Sequence, residues 1–582
     1  MMSCFADRGG IATLAAMALA LSACGGGDGP VVPPVQTETK CNGVATSVRA
    51  LAPFESVVLS GASAACFALA GGDREYLIMP QLSGETLPYG GYGFRLGDPA
   101  PTVTARLDGA EGAGPIALSA GQLFAGQEKP LDAQARLDAV MRRREQAFTP
   151  ADAPVGERPS LSVNAIPPEP DTMRVFSVLN TLAELPAYTP VTAKLRYSGA
   201  RVLVYLDTLA AASLSASEIS AMGAVYDASL VPAVTAAFGD GSDIDANGRV
   251  IFLLTPTVNA LVSSSACSVS GFVRGFFYSH DLSSTASTSN RGEIFYAYVP
   301  DESGRWSCRQ TKSDVLSNLP PTFIHELQHM VSFGEHAIER RGVSEEPWLN
   351  EGLSHMAEEL GSLVFEARFP APSGRVSPTQ IFPDSSAPYI TPTVQYSYRY
   401  LFSSGIYSIT RCAPGTFCSL AERGGTWLFL RWMADHQPAG FFRRLVETDL
   451  VGRTNLEAAA GRATSSLLGD FAVAVSADSV VGQPRTATPA TMRFGSRNLR
   501  RIYKGLFDTF GLLGGVSRPF PIEPLTLAPG ASITGTMRPG TFMTYRMRIP
   551  AGTPSAVLRM SGTDGSPFPV ESGAQVSVLR LP

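Results

Sequence analysis

Two short segments constrain this chain more than anything else in it: His325-Glu326-Leu327-Gln328-His329, and Trp348-Leu349-Asn350-Glu351-Gly352-Leu353-Ser354. On a helix, positions i and i+4 lie one above the other, so both imidazoles of the first segment face one point in space. One metal ion can be held by both rings, and Glu326 is placed to reach a water bound at that ion. With six His among 582 residues and Glu at about 4% of positions, HExxH arises by chance roughly three times in a thousand such chains. A solvent-facing pair fits poorly too, because Phe323, Ile324, Leu327, Met330 and Val331 surround the two rings with apolar residues.

Two imidazoles leave a tetrahedral catalytic metal short of one protein ligand. The stretch from Trp348 to Leu360 carries apolar residues at Leu349, Leu353, Met356 and Leu360 and reads as an amphipathic helix opening at Asn350. A carboxylate in its first turn can face the first helix, which favours Glu351 as the third ligand. His355 shares that face and is the competing ligand, or a partner that orients the site. Glu358 and Glu359 read as solvated helix charges.

HELQH followed by WLNEGLSHMAEE resembles the gluzincin type of zinc metallopeptidase, and most closely the hyicolysin-type neutral metallopeptidases of bacteria. Supporting segments are Ala200 to Asp207 (ARVLVYLD), Asp243 to Thr255 (DIDANGRVIFLLT) and Gly425 to Gly461, so the likeness runs over residues 170 to 480. The resemblance implies one Zn2+ per chain on His325, His329 and Glu351, with Glu326 as the general base of peptide-bond hydrolysis. Related gluzincins often carry Asp four residues after the ligand Glu, where this chain has His355. An oxyanion donor is also expected; Tyr396, Tyr398, Tyr400 and Tyr407 are candidates that the sequence leaves undistinguished. The implied fold is α+β, a zincin-like catalytic core with mixed sheet and active-site helix, flanked by small all-β domains.

The N-terminus gives an address. An apolar run from Ile11 to Ala20 is too short to span a membrane but suits a signal peptide. Leu21-Ser22-Ala23-Cys24 resembles the lipobox of bacterial lipoproteins, which implies lipidation at Cys24, a membrane anchor and a bacterial cell-envelope location, outer membrane or surface; plain secretion is the alternative. Six further cysteines, Cys41, Cys66, Cys267, Cys308, Cys412 and Cys418, are an even number in an oxidising compartment. Three disulfides are expected, and nearest-neighbour pairing is the simplest of fifteen arrangements. A net charge of −5 with no basic cluster argues against a nucleic-acid partner; Arg142 to Arg144 reads as a solvated helix face.

Composition and turn signals divide the chain into a signal peptide (1–23), a lipidated flexible tether (24–40), an N-terminal β domain (41–130), a helix with a Pro-rich linker (131–170), the catalytic domain (171–485) and a C-terminal β region (486–582). Within the core, a helix is expected from Ser217 to Phe238. Asp243, Asp245 and Asn247, followed by Gly248, match the start of a calcium loop, though position twelve is Leu254 rather than Glu, and a plain Asx/Gly turn competes. Two other functions stay open: an inactive zincin-fold binding or adhesion lipoprotein, and a zinc aminopeptidase. All four site residues are present, which a decayed site need not preserve, and residues 270 to 324 show no Gly-rich amine-binding motif. A protein or peptide substrate for an endopeptidase is therefore the expectation.

Overall fold

The computed structural model describes residues 38–41, 44–85, 89–101, 103–106, 132–154, 168–366, 387–412, 418–478, 487–512 and 515–582. The signal peptide, Cys24 and most of the Pro-rich linker lie outside these residues.

The central layer is a mixed sheet of β1 (Met173–Leu179), β2 (Tyr188–Ser198), β3 (Val202–Asp207), β4 (Val250–Leu254), β5 (Gly275–Phe277) and β6 (Ile294–Ala297), in the order β5-β6-β4-β3-β2-β1. β4 runs parallel to both β3 and β6, while β5 is antiparallel to β6 and forms one edge. Strands β3, β4 and β6 read VLVYLD, VIFLL and IFYA, apolar on both faces, as strands covered on both sides must be.

Helix α1 spans Asp132–Ala147 and α2 spans Ala216–Phe238, the latter with one π-helical turn at Tyr226–Leu230. Helix α3 (Lys312–Phe333) carries HELQH, and α4 (Pro347–Glu366) carries the NEG segment. Helices α5 (Ala387–Phe402) and α6 (Leu420–His436) pack beyond α4. Aromatic contacts dock α3 on the sheet: Phe323 stacks on Tyr226 at 4.4 Å and meets Phe252 of β4 and Phe295 of β6 edge-on. With that face of α3 fixed, His325 and His329 are turned toward α4. Gly352 lets α4 and α6 approach closely, since a Cβ there would lie 2.5 Å from Thr426.

The flanking β segments differ from the sequence expectation. Strands from both ends of the chain share their sheets: Ser555–Gly562 lies between Phe67–Ala70 and Tyr92–Gly97, and Ala574–Arg580 lies between Arg74–Leu82 and Ser56–Ser60. One apolar core joins Leu69, Tyr76 and Leu96 to Met547, Leu558 and Val578. The described strands between Glu38 and Arg106 and those between Leu525 and Arg580 therefore build one composite β unit, each set covering edges that the other would leave open. The 486–582 segment also starts with a helix, Leu499–Phe510, before its strands. Cysteine pairing follows neighbours where it is described, Cys267–Cys308 and Cys412–Cys418, and Cys66 is also disulfide-bonded.

Glu345 fixes the entry to α4. Its carboxylate accepts hydrogen bonds from Gly452 N (2.5 Å), Asn455 Nδ2 (2.6 Å) and Glu346 N (2.7 Å). Burial pushes its pKa up from 4.5 to about 7 against those bonds. Between these values the folded chain keeps a proton that the unfolded chain has released, so this contribution to stability is present at low pH and lost as pH rises through that window. Glu345→Gln should flatten the slope of unfolding free energy against pH there by up to about 1.4 kcal/mol per pH unit. Denaturant titrations of both proteins from pH 4.5 to pH 7 check this, and parallel slopes would reject it.

Candidate metal centre

The Nε2 atoms of His325 and His329 lie 3.1 Å apart. Glu351 faces both, with Oε2 3.6 Å from His325 Nε2 and Oε1 3.5 Å from His329 Nε2. The opposite ring edges are already occupied. His325 Nδ1–H donates to Glu358 Oε1 at 2.8 Å, and His329 Nδ1–H donates to Asn350 Oδ1 at 3.0 Å. Each Nε2 is thus the ring nitrogen turned toward Glu351 and open to a metal, and in the metal-free chain the two share a proton across their 3.1 Å contact.

That place calls for positive charge. Burial works against a protonated His325, yet Glu351 and Glu358 outweigh it and raise its pKa to about 10. His329 goes the other way, lowered by burial and by Arg142. Glu351 is held well below the ordinary carboxylate range: burial opposes ionisation, and Arg423, His329 and His325 overcome it. Both Glu351 oxygens are buried without a hydrogen bond, although Arg423 Nη1 stands 3.1 Å from Oε2.

Glu326 Oε2 accepts from Phe277 N of edge strand β5 at 3.0 Å, which pins the carboxylate beside the two rings. Burial raises its carboxyl to about 7, with Asp138 adding to the rise and His325 and Arg142 opposing it. A cleft of about 540 Å³ opens here, lined by Gln134, Arg274, His325, Glu326, Tyr396 and Arg423 among others. Of the four tyrosines considered from sequence, Tyr396 is the one at this cleft. Tyr398 donates its hydroxyl to Arg518 O at 2.9 Å, and Tyr400 is fully buried.

His355 belongs to a second group with His325 and Glu358, on the other edge of the His325 ring. Its Nδ1–H donates to Glu358 Oε2 at 2.9 Å, and Thr393 Oγ1 donates to the same oxygen at 2.6 Å. Glu358 therefore joins the two histidines instead of facing solvent as expected, and burial, opposed by His355 and His325, leaves its pKa lowered to about 2. Glu359 is fully buried as well, accepting from Arg497 Nε at 2.6 Å and Trp427 Nε1 at 3.2 Å. Helix α4 begins at Pro347, not Asn350, which frees the Asn350 side chain to hold His329.

Helix α1 supplies one wall of the site, where the sequence reads only a bridge. Arg142, expected in solvent, is buried and paired with Glu145 at 3.0 Å. Asp138 meets Arg423 Nη2 at 3.3 Å, so α1 and α4 are linked through α6. Gln134 spans the backbone of the β5 edge: Oε1 accepts from Arg274 N and Nε2 donates to Gly275 O, both at 2.9 Å. No spacing rule exposes the contacts of Asp138 and Gln134, because they join segments more than a hundred residues apart.

In the Asp-rich loop, Asp243 and Asp245 come together with Glu293, which precedes β6. Asn247 is engaged locally, with Nδ2 donating to Asp245 Oδ2 at 2.7 Å and Oδ1 accepting from Arg249 N at 2.5 Å.

The HExxH helix thus brings His325, His329 and Glu351 together with the buried Glu326 beside them. The chain is similar to a neutral metalloprotease. Neutral metalloprotease ShpI of Staphylococcus hyicus is 25% identical over 237 residues, which make up 39% of this chain and 51% of ShpI. The chain thus spans about half the length of this curated relative. It matches no protein-family profile. The similarity to ShpI supports metalloprotease chemistry, and the His and Glu groups described above are of the kind that such chemistry requires.

Proposed function

We propose that the protein is a zinc-dependent endopeptidase with a zincin-like core, in which His325, His329 and Glu351 hold the metal and Glu326 is the general base. The observation that carries this reading is the convergence of two Nε2 atoms and a buried carboxylate on one point. A donor set of two imidazoles and one carboxylate fits zinc, with one position left open for solvent. Zinc bound there would supply Lewis acidity, lowering the pKa of water toward about 7 and polarising a peptide carbonyl.

The chain's own residues do the rest. Glu326, fixed at Oε2 by Phe277 N, takes a proton from water at the cleft and passes it to the leaving amine. Tyr396 and Arg274, both at the cleft, are the donors available to a developing oxyanion. The Gln134 carboxamide supports a peptide substrate, because an amide is already seated on the main chain of edge strand β5, with a donor and an acceptor both satisfied. Export and anchoring through Cys24 complete the reading and rest on the leader sequence alone.

Digestion of casein by the zinc-loaded chain, with products mapped by mass, tests the function. Internal cleavage is expected; release of terminal residues only would make it an exopeptidase, and intact casein would end the hydrolase reading. Glu358 orients His325 and His355 without being a ligand of the favoured trio. Glu358→Gln should therefore weaken zinc binding by about 10–100-fold in a competition assay, and unchanged affinity would remove that role.

A further inference from the structure

We propose that Asp243, Asp245 and Glu293 form a calcium site that braces the C-terminal end of helix α3. This site is separate from the zinc centre and does not depend on that reading. The loop after α2 brings in the two aspartates, and Glu293 arrives from the start of β6. Parallel pairing of β4 with β6 sets them side by side, with Ile251 N donating to Glu293 O at 2.8 Å. One oxygen from each carboxylate lies within 4.8 Å of the others, about the span of opposite ligands around one calcium ion, at 2.3–2.6 Å each.

Glu293 is the observation that takes this beyond an acidic loop. It is 4% exposed; Oε1 accepts from Ser242 Oγ (2.8 Å) and Ile244 N (3.1 Å), while Oε2 is buried with no partner. Among the described residues, Asp243 accepts from Asn247 N and Gly248 N, and Asp245 from Asn247. Among the described residues, no ion pair joins any of the three. Three carboxylates sharing a buried corner with uncharged donors leave negative charge for a cation to balance. Burial raises Asp245 to about 6 and Glu293 to about 7; the neighbouring carboxylates add to both rises, while the hydrogen bonds from Asn247, Ile244 and Ser242 and the charge of Arg174 oppose them.

The donor set is oxygen only, in an irregular loop, which favours a hard and geometrically tolerant ion; calcium fits better than magnesium, which demands near-ideal octahedra. The loop also leans on the active-site helix. A Cβ on Gly241 would lie 3.1 Å from Val331 Cα, and one on Gly334 would lie 2.6 Å from Ser242 N. An ion fixing Asp243 and Glu293 therefore fixes Ser242 against the last turn of α3, directly after His329.

Calorimetric titration of calcium into the full chain, with zinc content measured before and after, tests the proposal. Expected results are one calcium per chain, a melting temperature that rises by several degrees with calcium, and binding at least tenfold weaker in Glu293→Gln. Asp245→Asn gives the same readout should Glu293→Gln fail to fold, and Asp171→Asn, at an exposed pair with Lys194, should bind like wild type. A wild-type chain that takes up no calcium, or a folded Glu293→Gln or Asp245→Asn that binds it with undiminished affinity, overturns the site.

Discussion

Glu326→Gln should keep its zinc and lose casein hydrolysis by about two to four orders of magnitude, the range that one general acid–base group contributes. The amide has nearly the same shape, and its carbonyl oxygen can still accept from Phe277 N, so the geometry around the two histidines is retained. What disappears is the proton acceptor. Burial places the Glu326 carboxyl near 7, matched to a proton that must be taken and then returned at neutral pH. A structural role would give the opposite pattern, with metal content and melting temperature falling alongside activity. Measuring kcat, KM and zinc content together separates the two: kcat alone should drop. Full activity in the zinc-loaded variant would show that another group moves the proton.

The parts of this site that were legible in the sequence are local or carry a strict spacing. HELQH needs only helical geometry to bring His325 and His329 together, and the apolar residues around the pair mark the helix as buried, whereas its docking on the sheet through Phe323 is seen only in the structure. The extent of α3 was less legible: Pro320 and Pro321 lie inside it and hide its first turns, which Thr311 caps by accepting from Asp314 N. Glu358 and Glu359 obey the same helical spacing as solvated charges, and only the tertiary positions of His325, Thr393, Arg497 and Trp427 make them buried anchors. Glu293 and Gln134 had no local signal at all, since Glu293 takes its partners from the 242–245 loop and Gln134 from the edge at β5, each met across the fold. The flanking β segments misled for a related reason. Alternation of apolar and polar residues identifies strands but says nothing about partners, and here the partners lie nearly five hundred residues apart, as in Glu75 with Arg546.

Glu351→Ala should empty the metal centre and abolish proteolysis, because it removes the one carboxylate that both Nε2 atoms face. Loss of an orienting partner costs metal affinity by about 10–100-fold; loss of a ligand should cost more, so the purified variant should carry almost no zinc. The apo chain should lose stability for two reasons. The substitution takes from Arg423 a buried carboxylate 3.1 Å away, and breaking a buried pair by removing one partner destabilises by about 3–5 kcal/mol. It also removes a charge that holds His325 protonated in the metal-free chain, so His325 should titrate at a lower pH than the wild-type value of about 10. Zinc content, melting temperature and a histidine NMR titration on the same preparation distinguish ligand loss from global unfolding. A folded variant that still binds one zinc would move the third ligand to the other edge of the His325 ring, where His355 and Glu358 wait, and His355→Ala would then be the substitution that empties the site.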